Sequence, residues 1–475
     1  MKVITRTRLI AAVALGAAVV VAASLGGTSR ASSPQFNLPA LKGPAVAQAT
    51  ADGCNSIFES LFGIPCYGPY ELGKAYDYPS NLDGSGQTIV IVDAYGSKNI
   101  QADLQLFDAQ FGIPDPAPGK FVVVNGPAAT AAGSGDVDDW GLETSLDVEY
   151  AHAMAPGARI VLVQGSSDDD NDLNNAERQW LPHYPGAIVS HSFGDWETDT
   201  GAAEAASDAH KIYSVASLLG ETMVASSGDA GATWTQYTGT TTPALASYPA
   251  SDPLVTAVGG TQGLPYPDGL YQNGGYGGEQ AWNEAQFDSA GGGAPSMLFS
   301  APSWQRGITG YKVRTEPDVS YNAAIEGGVG VVYTLPEDTP GPDTTSIYLV
   351  GGTSAGSPQW ASIFALVNQA RAQAHRLPLG PANAALYRIA KNRHSADDFH
   401  DITVGNNALD SSVGFNAGPG YDIATGLGTP DVAKLVPDLA AQPTGIVEGI
   451  GSILNAPRHQ GQGHKHHLPH TAVPG

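Results

Sequence analysis

The chain has 475 residues and a formal charge of -24, from 22 Lys+Arg against 46 Asp+Glu. Such a chain is repelled by nucleic acid and by anionic membrane surfaces, which excludes both as partners and suits an acidic working environment. Hydrophobic residues make up 42%, and 59 glycines and 34 prolines are spread along the sequence, so the composition is that of a loop-rich globular protein rather than a disordered one.

The N-terminus reads as a targeting segment. "MKVITRTRLIAAVALGAAVVVAASLGGTSRASS" places Lys2, Arg6 and Arg8 before a small-residue apolar run that ends near Ala31. This is the pattern of a secretory signal peptide over residues 1–31. A retained membrane anchor is the rival, but the run is Ala-rich and short for a span of about 20 residues. No other segment is apolar enough to cross a bilayer, so a secreted, extracellular product is expected.

Residues 32–65 form a short Pro/Ala-rich lead-in. The two cysteines, Cys54 and Cys66, lie at its end. In an oxidising compartment they are expected to form one disulfide closing a small loop. A zinc site would need further ligands nearby, and none is visible.

From Cys66 to about Asp438, apolar runs alternate with helical patterns. "QTIVIV" (87–92) predicts a buried strand and "NIQADLQLFDAQF" (99–111) an amphipathic helix. "KFVVV" predicts the next strand, followed by a helix from about Gly141 to Met154 and the strand "ARIVLV" (158–163). "GAIVSHS" and "TMVASS" predict two more strands, with a helix near 201–219 between them. Such alternation argues for a doubly wound, mostly parallel sheet with helices on both faces. The stretch 235–350 is richer in Gly, Pro and Tyr and predicts loops and shorter strands. From residue 442 to 475 the texture changes to a His-rich tail with His459, His464, His466, His467 and His470, expected to be disordered.

Four places in this pattern can carry chemistry. Ser354, in "LVGGTSAGSPQWASIFALV", follows a glycine turn and precedes a helical run in which Trp360, Ile363, Val367 and Ala370 share one face and Pro358 falls in the first turn. Unpaired backbone N–H groups at such a helix start can stabilise an oxyanion. Locally, an N-cap serine explains the residue as well as a nucleophile does. Glu143 and Asp147 stand at i and i+4, so both carboxylates leave one helix face. A coupled pair of acids gains a raised apparent pKa and can act as a base in acid, although acids near a helix N-terminus also suit its dipole. Asp229 follows a strand in "TMVASSGDAGA", at the sheet edge where sites gather, or simply forms a turn there. Asp401 and Asp422, with the glycine loop 418–420, offer hard oxygen ligands of mixed side-chain and backbone origin suited to calcium.

Taken together and in order, "ETSLDVEYAHAMAPGA", "SSGDAGA", "YPASDPLVTAVGGT", "PDVS" (317–320), "GGTSAGSP" and "GYDIATGLGTPD" resemble the sedolisin family. These are serine-carboxyl peptidases, acid-acting relatives of subtilisin in fold. The resemblance runs from about Cys66 to about Asp438, and "CYGPYELGKAYDYPS" is similar to the segment that opens the family's catalytic domain. It implies a subtilisin-like α/β domain over residues 66–441, acting on protein or peptide substrates and expected to be monomeric. It also implies Ser354 as nucleophile, Glu143 as general base, Asp147 as its supporting carboxylate and Asp229 as the acid of the oxyanion hole. One structural calcium ion would take the side chains of Asp401 and Asp422 and the carbonyls of Ile402, Gly418 and Gly420. Asp93, in "IVIVDAYGS", is a candidate for an auxiliary place beside the catalytic pair.

The chemistry is coherent. A histidine base is largely protonated in acid, whereas a glutamate with a suitable pKa can take the serine proton. An acid kept neutral by burial can donate to the tetrahedral oxyanion. His152 and His191 raise the possibility of a Ser-His-Asp site, but neither falls in the family's catalytic motifs. Family members usually carry a large N-terminal propeptide domain. Residues 32–65 are too short for one, so the enzyme is expected to need little or no propeptide. The competing expectation is a non-catalytic secreted binding protein on the same scaffold.

Overall fold

The computed structural model describes residues 40–45, 54–127, 137–199, 201–233, 243–263, 276–335, 344–391, 397–409 and 413–446. The proposed signal peptide, residues 32–39 and 46–53 of the lead-in and the His-rich tail beyond residue 446 lie outside the described residues.

Seven strands lie parallel in one sheet. Their order across it is Phe121–Asn125, Arg159–Gly165, Thr88–Ala94, Ile188–His191, Thr222–Ser226, Val255–Gln262 and Val319–Asn322. The short strand Gln280–Ala281 pairs antiparallel with Val255–Gln262. The strands read as unbroken apolar runs because both faces are covered. In Thr88–Ala94, Ile89 and Ile91 enter one core while Val90 and Val92 enter the other. Helices Val137–Met154 and Gly356–Gln373 pack together on the first face, and Asp170–Trp180 and Ala202–Leu218 on the second. The doubly wound arrangement expected from the alternation is present. Winding first runs outward from Thr88–Ala94 and then returns past it to Ile188–His191. In such sheets a reversal of this kind marks the carboxyl ends of the two strands as the place where sites are held.

A second sheet stands beside the first. The hairpin Gly328–Leu335/Thr344–Val350 is flanked by Ala40–Ala45, antiparallel to Thr344–Val350, and by Cys66–Tyr67, parallel to Gly328–Leu335. The stretch 235–350, expected to hold only shorter strands, therefore contains strands of 7–8 residues. Cys54 and Cys66 form the expected disulfide, with Cα atoms 5.6 Å apart and both side chains buried.

Two boundaries differ from expectation. The helix expected from about Gly141 begins at Val137. The Ser354 helix does not bury a single face. Pro358, Gln359, Ala361 and Ser362 are buried as fully as Trp360 and Ile363, because the helix is wedged between the sheet, Val137–Met154 and Val432–Ala441. Residues 442–446, placed with the tail by composition, remain on the body: Gly445 N donates to Leu379 O at 2.7 Å.

Candidate active site

The hairpin strand Thr344–Val350 delivers the chain to Gly351 and Gly352. Gly352 has φ +115°, a conformation that side chains rarely adopt. The chain then makes a single 3-10 turn, Thr353–Ala355, before Gly356–Gln373 begins. Ser354 is the middle residue of that turn and Ala355 is the N-cap. The capping explanation of Ser354 is thereby removed. Its hydroxyl is buried and makes no hydrogen bond of normal geometry among the described residues.

Glu143 and Asp147 project from one face of Val137–Met154, as the i, i+4 spacing predicts, and both are buried. Burial raises both carboxyls well above the usual range. The negative charge of Asp93 raises each further. The Ser354 hydroxyl lies near enough to Glu143 to act the other way, favouring its ionised form. Asp93 belongs to this group. It sits at the carboxyl end of its strand, completely buried, and is pushed up to about 7 by desolvation, with the Thr144 hydroxyl and His191 opposing. Three acids in one dry space cannot all ionise, so the first proton lost leaves one negative charge for the group.

Asp229 follows strand Thr222–Ser226. Burial pushes it up to about 6, against hydrogen bonds from Thr353. Its Oδ1 accepts from Thr353 N at 2.7 Å and Thr353 Oγ1 at 2.8 Å. Its Oδ2 is buried without a partner among the described residues. The charge of Asp229 also reaches Glu143. Ser354, Glu143, Asp147, Asp229 and Asp93 thus meet at the switch point of the sheet.

The loop carrying Asp229 is fastened from outside. Gly292 N donates to Gly228 O at 2.6 Å, and Ala290 N to Asp229 O at 2.8 Å. Ser227 Oγ donates to Gly292 O at 3.0 Å. Only glycine fits at 292, since a Cβ there would stand 2.0 Å from Ser227 O.

Sequence reasoning missed Ser192, Thr144 and Thr353. Ser192 Oγ donates to Asp147 Oδ1 at 2.8 Å and also favours the ionised form of Glu143. The one available signal was that Ser192 and Thr353 stand at the carboxyl ends of strands or beside a named residue. The histidine alternatives fall away. His152 Nε2 meets Pro114 O at 3.0 Å and Asp108 at 3.5 Å. His191 points to the second core, with Glu177 at 2.6 Å and Val224 O at 2.8 Å.

The calcium-type residues also gather. Both oxygens of Asp401 accept from Gly420 N, at 3.1 and 2.9 Å. Asp422 accepts from Gly418 N at 2.9 Å, Ala424 N at 3.0 Å and Thr425 N at 2.9 Å. Ile402 is adjacent to Asp401. Among the described residues no cluster of three or more His, Cys, Asp or Glu side chains has metal-holding geometry. Asp401 and Asp422 face one glycine loop through its N–H groups, and their hard carboxylate oxygens are of the type that suits calcium.

The chain is similar in sequence and in fold to known proteins. The subtilase family model matches residues 126–414. Kumamolisin from a Bacillus species is 31% identical over 388 residues, covering 78% of this chain and 63% of kumamolisin. Sedolisin from a Pseudomonas species is 29% identical over 384 residues, covering 78% of this chain and 60% of sedolisin. The solved structure of Pseudomonas sedolisin, a serine-carboxyl proteinase complexed with two molecules of pseudo-iodotyrostatin, superposes with a TM-score of 0.65 at 27% identity. That match covers 79% of this chain and 98% of the other. The chain belongs to the subtilase family, on its sedolisin branch. It spans about three fifths of the length of these curated relatives.

Proposed function

We propose that the protein is a secreted, acid-acting serine-carboxyl endopeptidase. The interaction of Glu143 with Ser354, Asp147 and Asp229 in one buried group carries this reading. Family membership and the signal-like segment 1–31 support it.

Ser354 Oγ attacks the scissile carbonyl carbon while its proton passes to ionised Glu143. Asp147, held by Ser192, supports that transfer. The oxyanion accepts a hydrogen bond from neutral Asp229, with backbone N–H groups at the start of the Ser354 helix alongside. The proton on Glu143 then goes to the departing amine, leaving an acyl ester on Ser354. Water, deprotonated by Glu143, releases the acid and restores the serine. Asp401, Asp422 and the carbonyls of Ile402, Gly418 and Gly420 would hold one calcium ion. It would supply positive charge that pins the C-terminal loops and would take no part in bond cleavage. The substrates are proteins or peptides, and the working unit is a monomer.

A pH–rate profile on a denatured protein substrate tests the reading. Activity is expected below neutral pH, lost by several orders of magnitude in Ser354→Ala and in Glu143→Gln. Retention in Glu143→Gln would restore a histidine mechanism. A wild-type protein inactive at every pH would favour the binding-protein alternative.

A further inference from the structure

Asp229 is useful as an oxyanion donor only if its proton sits on the right oxygen. A carboxylic acid has two, and nothing in the acid itself chooses between them. The surroundings of Asp229 do choose. Gly228 N donates to Thr353 Oγ1 at 3.0 Å, which occupies that hydroxyl as an acceptor and turns its own hydrogen outward. The outward hydrogen meets Asp229 Oδ1 at 2.8 Å, and the Thr353 backbone N–H meets the same oxygen at 2.7 Å. An oxygen accepting two hydrogen bonds in a buried site is a poor place for a third hydrogen. Oδ2, buried and unpartnered among the described residues, is left to carry the proton.

We propose that Thr353 is a positioning residue that fixes the acidic proton of Asp229 on Oδ2 and so presents it to the oxyanion. This rests on the peptidase reading above and adds a residue to it. Thr353 precedes the nucleophile directly, so one short turn places both Ser354 and the acid that stabilises its adduct. In the variant Thr353→Val the backbone bond to Oδ1 remains, but the hydroxyl bond goes and Gly228 N loses its acceptor.

The titratable group facing Asp229 is Glu143, from helix Val137–Met154. The segments packed against the Asp229 loop, residues 255–262, 289–293, 353–356 and 405–409, contain no charged residue. The alkaline limb of the rate profile therefore reports Asp229 beside the coupled acids Glu143, Asp147 and Asp93. Thr353 favours the ionised form, so its loss moves that limb to higher pH.

The test measures kcat, KM and pH–rate profiles on a peptide substrate for wild type, Thr353→Val, Thr353→Ser and Asp229→Ala. Thr353→Val is expected to lower kcat about 10–100-fold, with KM within about twofold, and to raise the alkaline limb. Thr353→Ser keeps the hydroxyl and is expected to restore both. Thr353→Ala replaces the valine variant if that protein does not melt cooperatively. A valine or alanine variant with wild-type kcat and limb overturns the proposal. So does a serine variant as impaired as either of them. Asp229→Ala, which removes the donor, separates the two levels: it is expected to lose about 10²–10³ in kcat. Full activity in Asp229→Ala rejects the acid itself and with it the parent reading, whereas a silent Thr353 beside an impaired Asp229→Ala rejects only the positioning role.

Discussion

Ser192 shows how much a single hydroxyl decides. Its hydrogen bond to Asp147 Oδ1 is 2.8 Å long and lies in a space without water access. Leaving a buried acceptor without its donor costs about 1–3 kcal/mol. Ser192→Ala is expected to lower kcat about 10–100-fold. It is also expected to raise the acidic limb of the profile, because the anion of the acid group loses a stabilising partner. A pH–rate profile of the variant checks both, and an unchanged acidic limb would remove Ser192 from the site. The roles of Glu143 and Asp147 were legible because i, i+4 spacing is a local property of one helix. Those of Ser192 and Thr353 were not. Each acts across the sheet on a residue more than 40 positions away, and only strand order brings the partners together.

Among the elements, the glycine segment 289–293 and the loop 401–426 show how distant pieces hold the site in shape. Gly292 lies against the Asp229 loop with no room for a methyl group. Gly292→Ala must push Ser227 and Gly228 aside, and the acid moves with them. A fall in kcat of at least about tenfold is expected, since small misplacement of a catalytic group is costly. Kinetics on the folded variant measure it; normal kcat would mean that the loop tolerates the shift. Asn407 extends the same fastening. Its carbonyl accepts from Ala232 N at 3.0 Å, and its side chain donates to Gly293 O at 3.3 Å. The loop that bears Asp401 and Asp422 thus reaches the Asp229 loop through Asn407. Chelation is expected to lower the melting temperature of the wild type and to leave Asp401→Ala/Asp422→Ala unchanged. Melting curves with and without a chelator, and metal content by mass spectrometry, check this. A metal-free wild type with no chelator effect would remove the calcium site. The alternation of strands and helices was legible from apolar periodicity alone. The fastening was not, because glycine and asparagine in loops carry no pattern until the backbone they touch is known.

At the scale of the whole molecule, acids are hidden well beyond the candidate site. Glu149 and Glu316 are buried and raised well above the usual range by desolvation. Glu221 is pushed up to about 9, Asp195 to about 8 and Asp103 to about 6, again chiefly by burial. The net charge of -24 pointed to an acidic environment but could not say which carboxyls leave water. Burial now gives the direction of the stability change. Each of these groups binds its proton more tightly folded than unfolded, so the folded state gains from protonation. That gain is complete below about pH 4, the range of unfolded carboxyls. It is lost as pH rises through about 6 for Asp103 and Asp229, about 7 for Asp93, and higher still for Asp195 and Glu221. Ionisation of exposed acids adds self-repulsion over the same range. Ser354→Ala, which cannot digest itself under the proposed mechanism, is the protein to measure. Its calorimetric melting temperature is expected to be at least about 5 °C higher at pH 4 than at pH 7.5. A melting temperature that holds steady or climbs between those values would mean that the buried acids are ionised and solvated in the folded protein. The neutral Asp229 on which the oxyanion argument depends would then lose its physical basis.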